Sequence, residues 1–209
     1  MEQPHIMMII RGTFSDCFVE KITSDIKSDG LKLNVNKVPN KPMMAVELTI
    51  PALIAIFIAQ SYFSGFLSEF GKDHYVTLKK WLKRTAIDSR KINVVTLTAT
   101  QSTKKNDKSN KQSKAFSLHF KTRDNKNIKL LFDLNLEDDI WRKSIDKMID
   151  LIRENYENYP DDNLTKSIAE LNTHRPNIYA LINPKTKEWE YFDDTMLFRH
   201  QKEVQKKER

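Results

Sequence analysis

Glycine is scarce in this chain, and its four glycines, Gly12, Gly30, Gly65 and Gly71, stand far apart. Phosphate-cradling loops and dinucleotide fingerprints need closely spaced glycines, so the sequence carries neither. Cysteine is scarcer still, with Cys17 alone. No internal disulfide can form and no thiolate-rich metal site can be built. That usage fits a reducing compartment and gives a cytoplasmic expectation. Cys17 follows Asp16, whose charge opposes thiolate formation, so it makes a poor nucleophile. The five histidines, His5, His74, His119, His174 and His200, show no metal-ligand spacing and no HExxH pattern. The start, MEQPHIMMIIRG, has no basic leader, and its apolar run is too short for a signal peptide. No catalytic, cofactor or metal motif remains, and the sequence implies no cofactor.

One further absence is local. No charged residue occurs between Glu47 and Glu69, in a chain that is 30% charged. These 21 residues are just long enough to cross about 30 Å of hydrocarbon as a helix. Gln60, Ser61, Tyr62, Ser64, Gly65 and Ser68 interrupt the run, so a buried helix fits better than a span. Pro51 suits a helix start, since its missing N–H costs nothing in the first turn. A helix pair is therefore expected over about 52–85, with Gly71 as its break and Tyr75, Leu78, Trp81 and Leu82 facing inward.

What the chain does have is 209 residues, 39% of them hydrophobic, enough for one domain with a sizeable core. His5 to Arg11 reads as a buried strand between Pro4 and Gly12. Phe14, Phe18, Ile22 and Ile26 lie four apart, on one helical face. Residues 31–50 read as a hairpin turning at Pro39-Asn40-Lys41-Pro42. Residues 92–134 read as a three-stranded meander, its strands alternating apolar and polar residues. Ile140, Trp141, Ile145, Met148, Ile149 and Ile152 mark a second amphipathic helix over about 137–156. A last hairpin turns at Asn183-Pro184-Lys185-Thr186-Lys187. Strands and helices come in runs, so the fold class is α+β, with antiparallel hairpins and the meander packed on the 52–85 helix pair and on the second amphipathic helix. The expectation is a single domain over 1–209, divisible into lobes at 1–90 and 91–195. Residues 101–114 are read as a mobile lysine-rich loop and 196–209 as a polar tail.

The net charge of +7 favours acidic partners without choosing among them. Residues 72–91 carry seven basic and two acidic residues, whereas 135–162 carry four basic and nine acidic. Lys79, Lys80, Lys83 and Arg84, with Lys104, Lys105, Lys108, Lys111 and Lys114, are the candidate contacts to a nucleic-acid backbone. Tyr75 and Trp81 could stack on bases, but their spacing fits a core better. Ile54, Phe57, Ile58, Phe63, Phe66 and Phe70 are the candidate face of a partner-docking or membrane-inserting helix. His74 after Asp73 could be an oriented base, and Asp193-Asp194 ends a strand where carboxylates can act. His119 falls on the polar side of its strand. The leading functional expectation is a non-enzymatic binding or regulatory protein, a subunit or accessory factor with a protein partner. Nucleic-acid binding through a basic face and membrane insertion of 48–70 are the alternatives.

Overall fold

The computed structural model describes residues 3–39, 52–92, 94 and 112–207, with side chains omitted for 66–72 and 205–207. Seven strands form one mixed sheet: β1 (Ile6–Arg11), β2 (Leu33–Val38), β3 (Ile54–Ile58), β4 (Phe116–Lys121), β5 (Asn127–Leu131), β6 (Asn177–Ile182) and β7 (Trp189–Phe192). Their spatial order is β2-β1-β3-β4-β5-β6-β7. The helices are α1 (Asp16–Thr23), α2 (Leu67–Arg90), α3 (Asp138–Asn158), α4 (Asn163–Ala169) and α5 (Asp194–Lys207). A five-residue π-helical turn, Tyr62–Phe66, leads into α2.

Local chemistry sets many of these boundaries. Ser15 caps α1 by accepting from the Phe18 N–H at 3.2 Å, which satisfies a donor left open at the helix start. Asp162 caps α4 by accepting from the Thr165 N–H at 2.8 Å. Gly12 ends β1 at φ +98°, a backbone angle that side chains disfavour. Asn183 Oδ1 accepts from the backbone of Lys185 and Thr186 and so builds the β6–β7 turn.

The α+β class holds, and the second amphipathic helix forms as α3. The expected helix over 52–85 does not begin at Ala52. Ile54–Ile58 is instead the central strand β3, antiparallel to β1 and parallel to β4. Ile54, Ala55, Ile56 and Ile58 are all buried, so the strand is nearly closed on both faces. Such a strand reads as a continuous apolar run, which periodicity cannot tell from a buried helix. The β-branched isoleucines favour the extended form. The first arm of the expected 31–50 hairpin is the strand β2, which pairs parallel with β1, across α1. Its second arm, and most of the first meander strand over 92–100, lie outside the described residues. The β4–β5 and β6–β7 hairpins pair as antiparallel neighbours.

One face of the sheet carries the main core. Ile6, Met8, Ile56, Leu118, Leu130 and Ile178 pack there against Ile22, Trp81, Leu82, Trp141 and Ile149 from the helices. The other face is covered at its β6–β7 end by α5, where Leu197 meets Tyr179 and Leu181. β1 and β5 run the same way, but their crossovers step in opposite directions along the sheet, with α1 and α3 on the same face. These two crossovers are therefore of opposite hand, and one of them departs from the usual right-handed rule.

Ile56→Ala is expected to lower the unfolding free energy by about 2–5 kcal/mol, the cost of a cavity in the sheet centre. Leu134→Ala, at an exposed position, is expected to change it by less than about 0.5 kcal/mol. Urea unfolding of both variants checks the contrast; equal effects would contradict a central buried strand at 54–58.

Candidate anion-binding pocket

The basic residues of α2 and the acidic residues of α3 face each other along the two helices. Lys79 Nζ is 2.6 Å from Asp150 Oδ1, and Lys83 Nζ is 2.6 Å from Asp146 Oδ2. Arg90 pairs with Asp138 at 2.7 Å and lies over the Trp141 ring. Arg84 pairs with Asp25 beside α1. Thus Lys79, Lys83 and Arg84 already have acidic partners. Lys80 is exposed. Lys114 is described at the approach to β4, where its carbonyl accepts from the Leu53 N–H at 3.0 Å. Lys104, Lys105, Lys108 and Lys111 lie outside the described residues. Tyr75 and Trp81 are core residues, and Trp81 Nε1 donates to the Ile22 carbonyl at 2.5 Å.

The proposed apolar helix face is divided between elements. Ile54 and Ile58 are buried in β3, whereas Phe57 points to the opposite side of the sheet, stacked on His119 at 4.2 Å. Phe63 is buried in the π-helical turn. Phe66 ends that turn and Phe70 lies in α2, with their side chains outside what is described. Among the described residues no helix is long and apolar enough to cross a membrane. His74 is buried, with Nδ1 2.9 Å from the Tyr62 hydroxyl, and burial lowers its pKa. Asp193 and Asp194 lie elsewhere, at the start of α5, where Asp194 pairs with Arg175. They do not join His74 and Asp73 in one site. Among the described residues no group of three His, Cys, Asp or Glu side chains could hold a metal.

A different set of residues does converge. A cavity of about 410 Å3 lies beyond the carboxyl ends of the parallel strands β3 and β4. Gln60 follows β3 by two residues and Arg123 follows β4 by two residues. Ser64 comes from the π-helical turn, a distortion frequent at functional sites. Arg153, Tyr156 and Glu157 come from the last turns of α3.

Each arginine is positioned by groups that leave part of its guanidinium free. The Arg123 backbone N–H donates to Asn155 Oδ1 at 2.9 Å, and its Nη1 donates to the Tyr156 carbonyl at 2.6 Å. Asn155 is itself fixed, donating to Asp162 at 3.1 Å and to the Thr165 hydroxyl at 2.9 Å. Asn155 and Asp162 are almost fully buried, so the turn that carries Arg123 is held at its base. The Arg153 guanidinium lies over the Tyr75 ring at 4.7 Å. Its Nε is buried without a hydrogen bond, and Glu157 Oε1 is 3.6 Å away, too far to accept one. Phe63 and Tyr156 stack at 5.3 Å with nearly parallel rings and form the apolar wall. The Tyr156 hydroxyl donates to the Lys121 carbonyl, and burial raises its pKa, so it stays neutral.

The lining therefore sets two guanidinium groups against one carboxylate, with Gln60 as a further polar group and an aromatic wall. Its volume lies in the range of small-molecule sites. Planar N–H forks suit the oxygens of a phosphate or carboxylate. Sequence reasoning missed both arginines. Arg123 lies inside the expected 92–134 meander and Arg153 inside the acidic segment 135–162, and neither was marked as a candidate.

The α2–α3 pairing has a testable pH dependence. Burial alone would raise the pKa of Asp150, but hydrogen bonds from Lys79 and Tyr75 and the charges of Lys79 and Arg153 outweigh it and hold the pKa below 3.8. A depressed folded-state pKa gives stability that is present above the unfolded value and lost as pH falls through the folded one. Asp150→Asn is expected to cost about 1 kcal/mol at neutral pH, because the pair is partly exposed. The gap to wild type is expected to be narrower at about pH 3 than at pH 7, because the stability is lost as pH falls below the unfolded Asp value of about 3.9 toward the lowered folded one. Chemical unfolding at both pH values measures it, and a gap independent of pH would refute the pairing. Searches against family models, curated proteins and solved structures found no match to this chain.

Proposed function

We propose that this protein acts by binding, and that its pocket holds the phosphate or carboxylate group of a small molecule. The observation that carries this reading is the convergence of Arg123 and Arg153 on one cavity, with the buried Nε of Arg153 lacking a hydrogen-bond acceptor. An unmatched buried donor is costly, and an incoming oxyanion removes that cost. The position at the carboxyl ends of two parallel strands is where open sheets commonly receive ligands. Among the described residues no hydrogen-bonded nucleophile–base pair lines the cavity, so binding fits the lining better than catalysis. Such a site suits an accessory or regulatory protein whose partner responds to the bound ligand. The nucleic-acid alternative is weakened by the acidic partners of Lys79, Lys83 and Arg84. The membrane alternative is weakened by the burial of Ile54, Ile56 and Ile58 in the sheet.

Calorimetry with inorganic phosphate, pyrophosphate and citrate at constant ionic strength tests the proposal. At least one of the three is expected to bind and to raise the melting temperature. Arg153→Met and Arg123→Met are each expected to remove about 1.5–3 kcal/mol of that binding, roughly ten- to a hundredfold in Kd. Lys80→Met, outside the pocket, is expected to leave it unchanged. Absence of binding for all three anions, or equal binding by wild type and both arginine variants, would reject the pocket.

A further inference from the structure

The pocket at the carboxyl ends of β3 and β4 holds a negative group beside its two arginines, and that group narrows what can bind. Glu157 stands in the last turn of α3. Among the described residues it is the only acid that lines the cavity. Its Oε1 is 3.6 Å from Arg153 Nε, beyond hydrogen-bond reach.

The other acids at this end of α3 already accept hydrogen bonds. Asp150 accepts from Tyr75 at 2.5 Å and from Lys79 at 2.6 Å. Glu154 accepts from Asn163 at 2.9 Å. Asp162 accepts from Asn155 and from the N–H and hydroxyl of Thr165. Among the described residues no donor hydrogen-bonds to the Glu157 carboxylate, so its accepting capacity is kept for a ligand. Arg153 and Glu157 form a dipole, positive at the buried Nε and negative at the exposed carboxylate. A bare anion seated on the arginines is repelled by Glu157. A ligand with an anion and a cation side by side, set antiparallel to that dipole, is attracted at both ends. Charge-assisted hydrogen bonds at each end fix its direction.

Given the anion-binding reading, on which this rests, we infer that the pocket takes an α-amino acid as its zwitterion. The carboxylate lies on Arg123 and Arg153, the ammonium on Glu157. An apolar side chain lies against the stacked Phe63 and Tyr156 rings. The 3.6 Å separation of Arg153 and Glu157 suits two charged groups carried on one carbon.

Calorimetry of the full chain at neutral pH and constant ionic strength tests this with a matched set. L-Phenylalanine is compared with hydrocinnamate, which lacks the ammonium, and with phenethylamine, which lacks the carboxylate. L-Leucine and isocaproate form a second pair with a smaller side chain. At least one amino acid is expected to bind about tenfold more tightly than its partial analogues. Glu157→Gln is expected to weaken that amino acid by about tenfold and to strengthen the bare carboxylate, because a repelling charge leaves while the arginines stay. A general loss of structure cannot produce that crossed effect, and the wild-type comparison stands without the variant. Equal binding of amino acid and bare carboxylate would overturn the inference and leave the anion pocket standing. So would a preference that survives Glu157→Gln, or binding of phosphate, pyrophosphate or citrate with neither amino acid bound. Failure of every ligand, those three anions included, would remove the anion pocket and this inference with it.

Discussion

Strand β3 is the element on which the rest of the structure depends. It hydrogen-bonds to β1 on one side and to β4 on the other, so it joins the amino-terminal strands to the four that follow. A strand in that place cannot expose a polar row, because helices cover one face and the other is also largely closed around Ala55. The sequence Ile-Ala-Ile-Phe-Ile answers that demand. Its isoleucines fill the helix-covered side, its alanine leaves room on the other, and Phe57 provides the one large side chain there. The absence of charge around these residues follows from burial in a sheet, since a lone charge would be left without water or partner.

The second constraint is electrostatic. The uneven distribution of charge along the chain was plain in the sequence, and its meaning depended on which segments meet. A basic helix and an acidic helix that pack side by side satisfy each other: Lys79 with Asp150, Lys83 with Asp146 and Arg90 with Asp138. Each pair is partly exposed and contributes at most about 1 kcal/mol. Their combined effect is directional, because another register or the reverse packing would set like charges together. The ladder thus helps to select one arrangement of α2 on α3, while Trp81, Trp141 and the isoleucines supply most of the adhesion.

The legible parts of the fold were those set by local chemistry. The α3 stripe, the turn at Asn183 and the burial of Trp81 follow from residues near one another in sequence. The misread parts were set by context. The run from Ile54 to Ile58 is short and uniformly apolar, so it has no period to read, and only its neighbours β1 and β4 make it a strand. The parallel pairing of β1 with β2 requires a crossover that no turn residue announces. The candidate site was the least legible. Arg123 and Arg153 lie thirty residues apart, each in a segment with an ordinary explanation of its own. Their convergence comes from the Asn155 network, which ties the β4–β5 turn to the end of α3. His119 was assigned to the polar side of its strand, but the alternation gave no warning that this side is itself partly buried.

The two faces of the sheet now divide the chemistry. At the carboxyl ends of β3 and β4, two arginines keep donors available because Asn155, Tyr156 and Tyr75 position them without using all their hydrogen-bonding capacity. On the opposite face, Phe57 stacks on His119, whose Nε2 meets the Ser117 hydroxyl. Both the pocket and the Phe57–His119 stack depend on the same strand. Gln60 continues β3 into the pocket, and Phe57, three residues earlier, forms the wall beside His119. The alternation of side chains along a strand sends successive residues to opposite faces. A small shift of β3 relative to β4 would therefore move Gln60 relative to Arg123 and Phe57 relative to His119 together. The tight burial of Ile54, Ile56 and Ile58 resists that shift, so the packing that closes the core also holds the pocket and the Phe57–His119 stack in register.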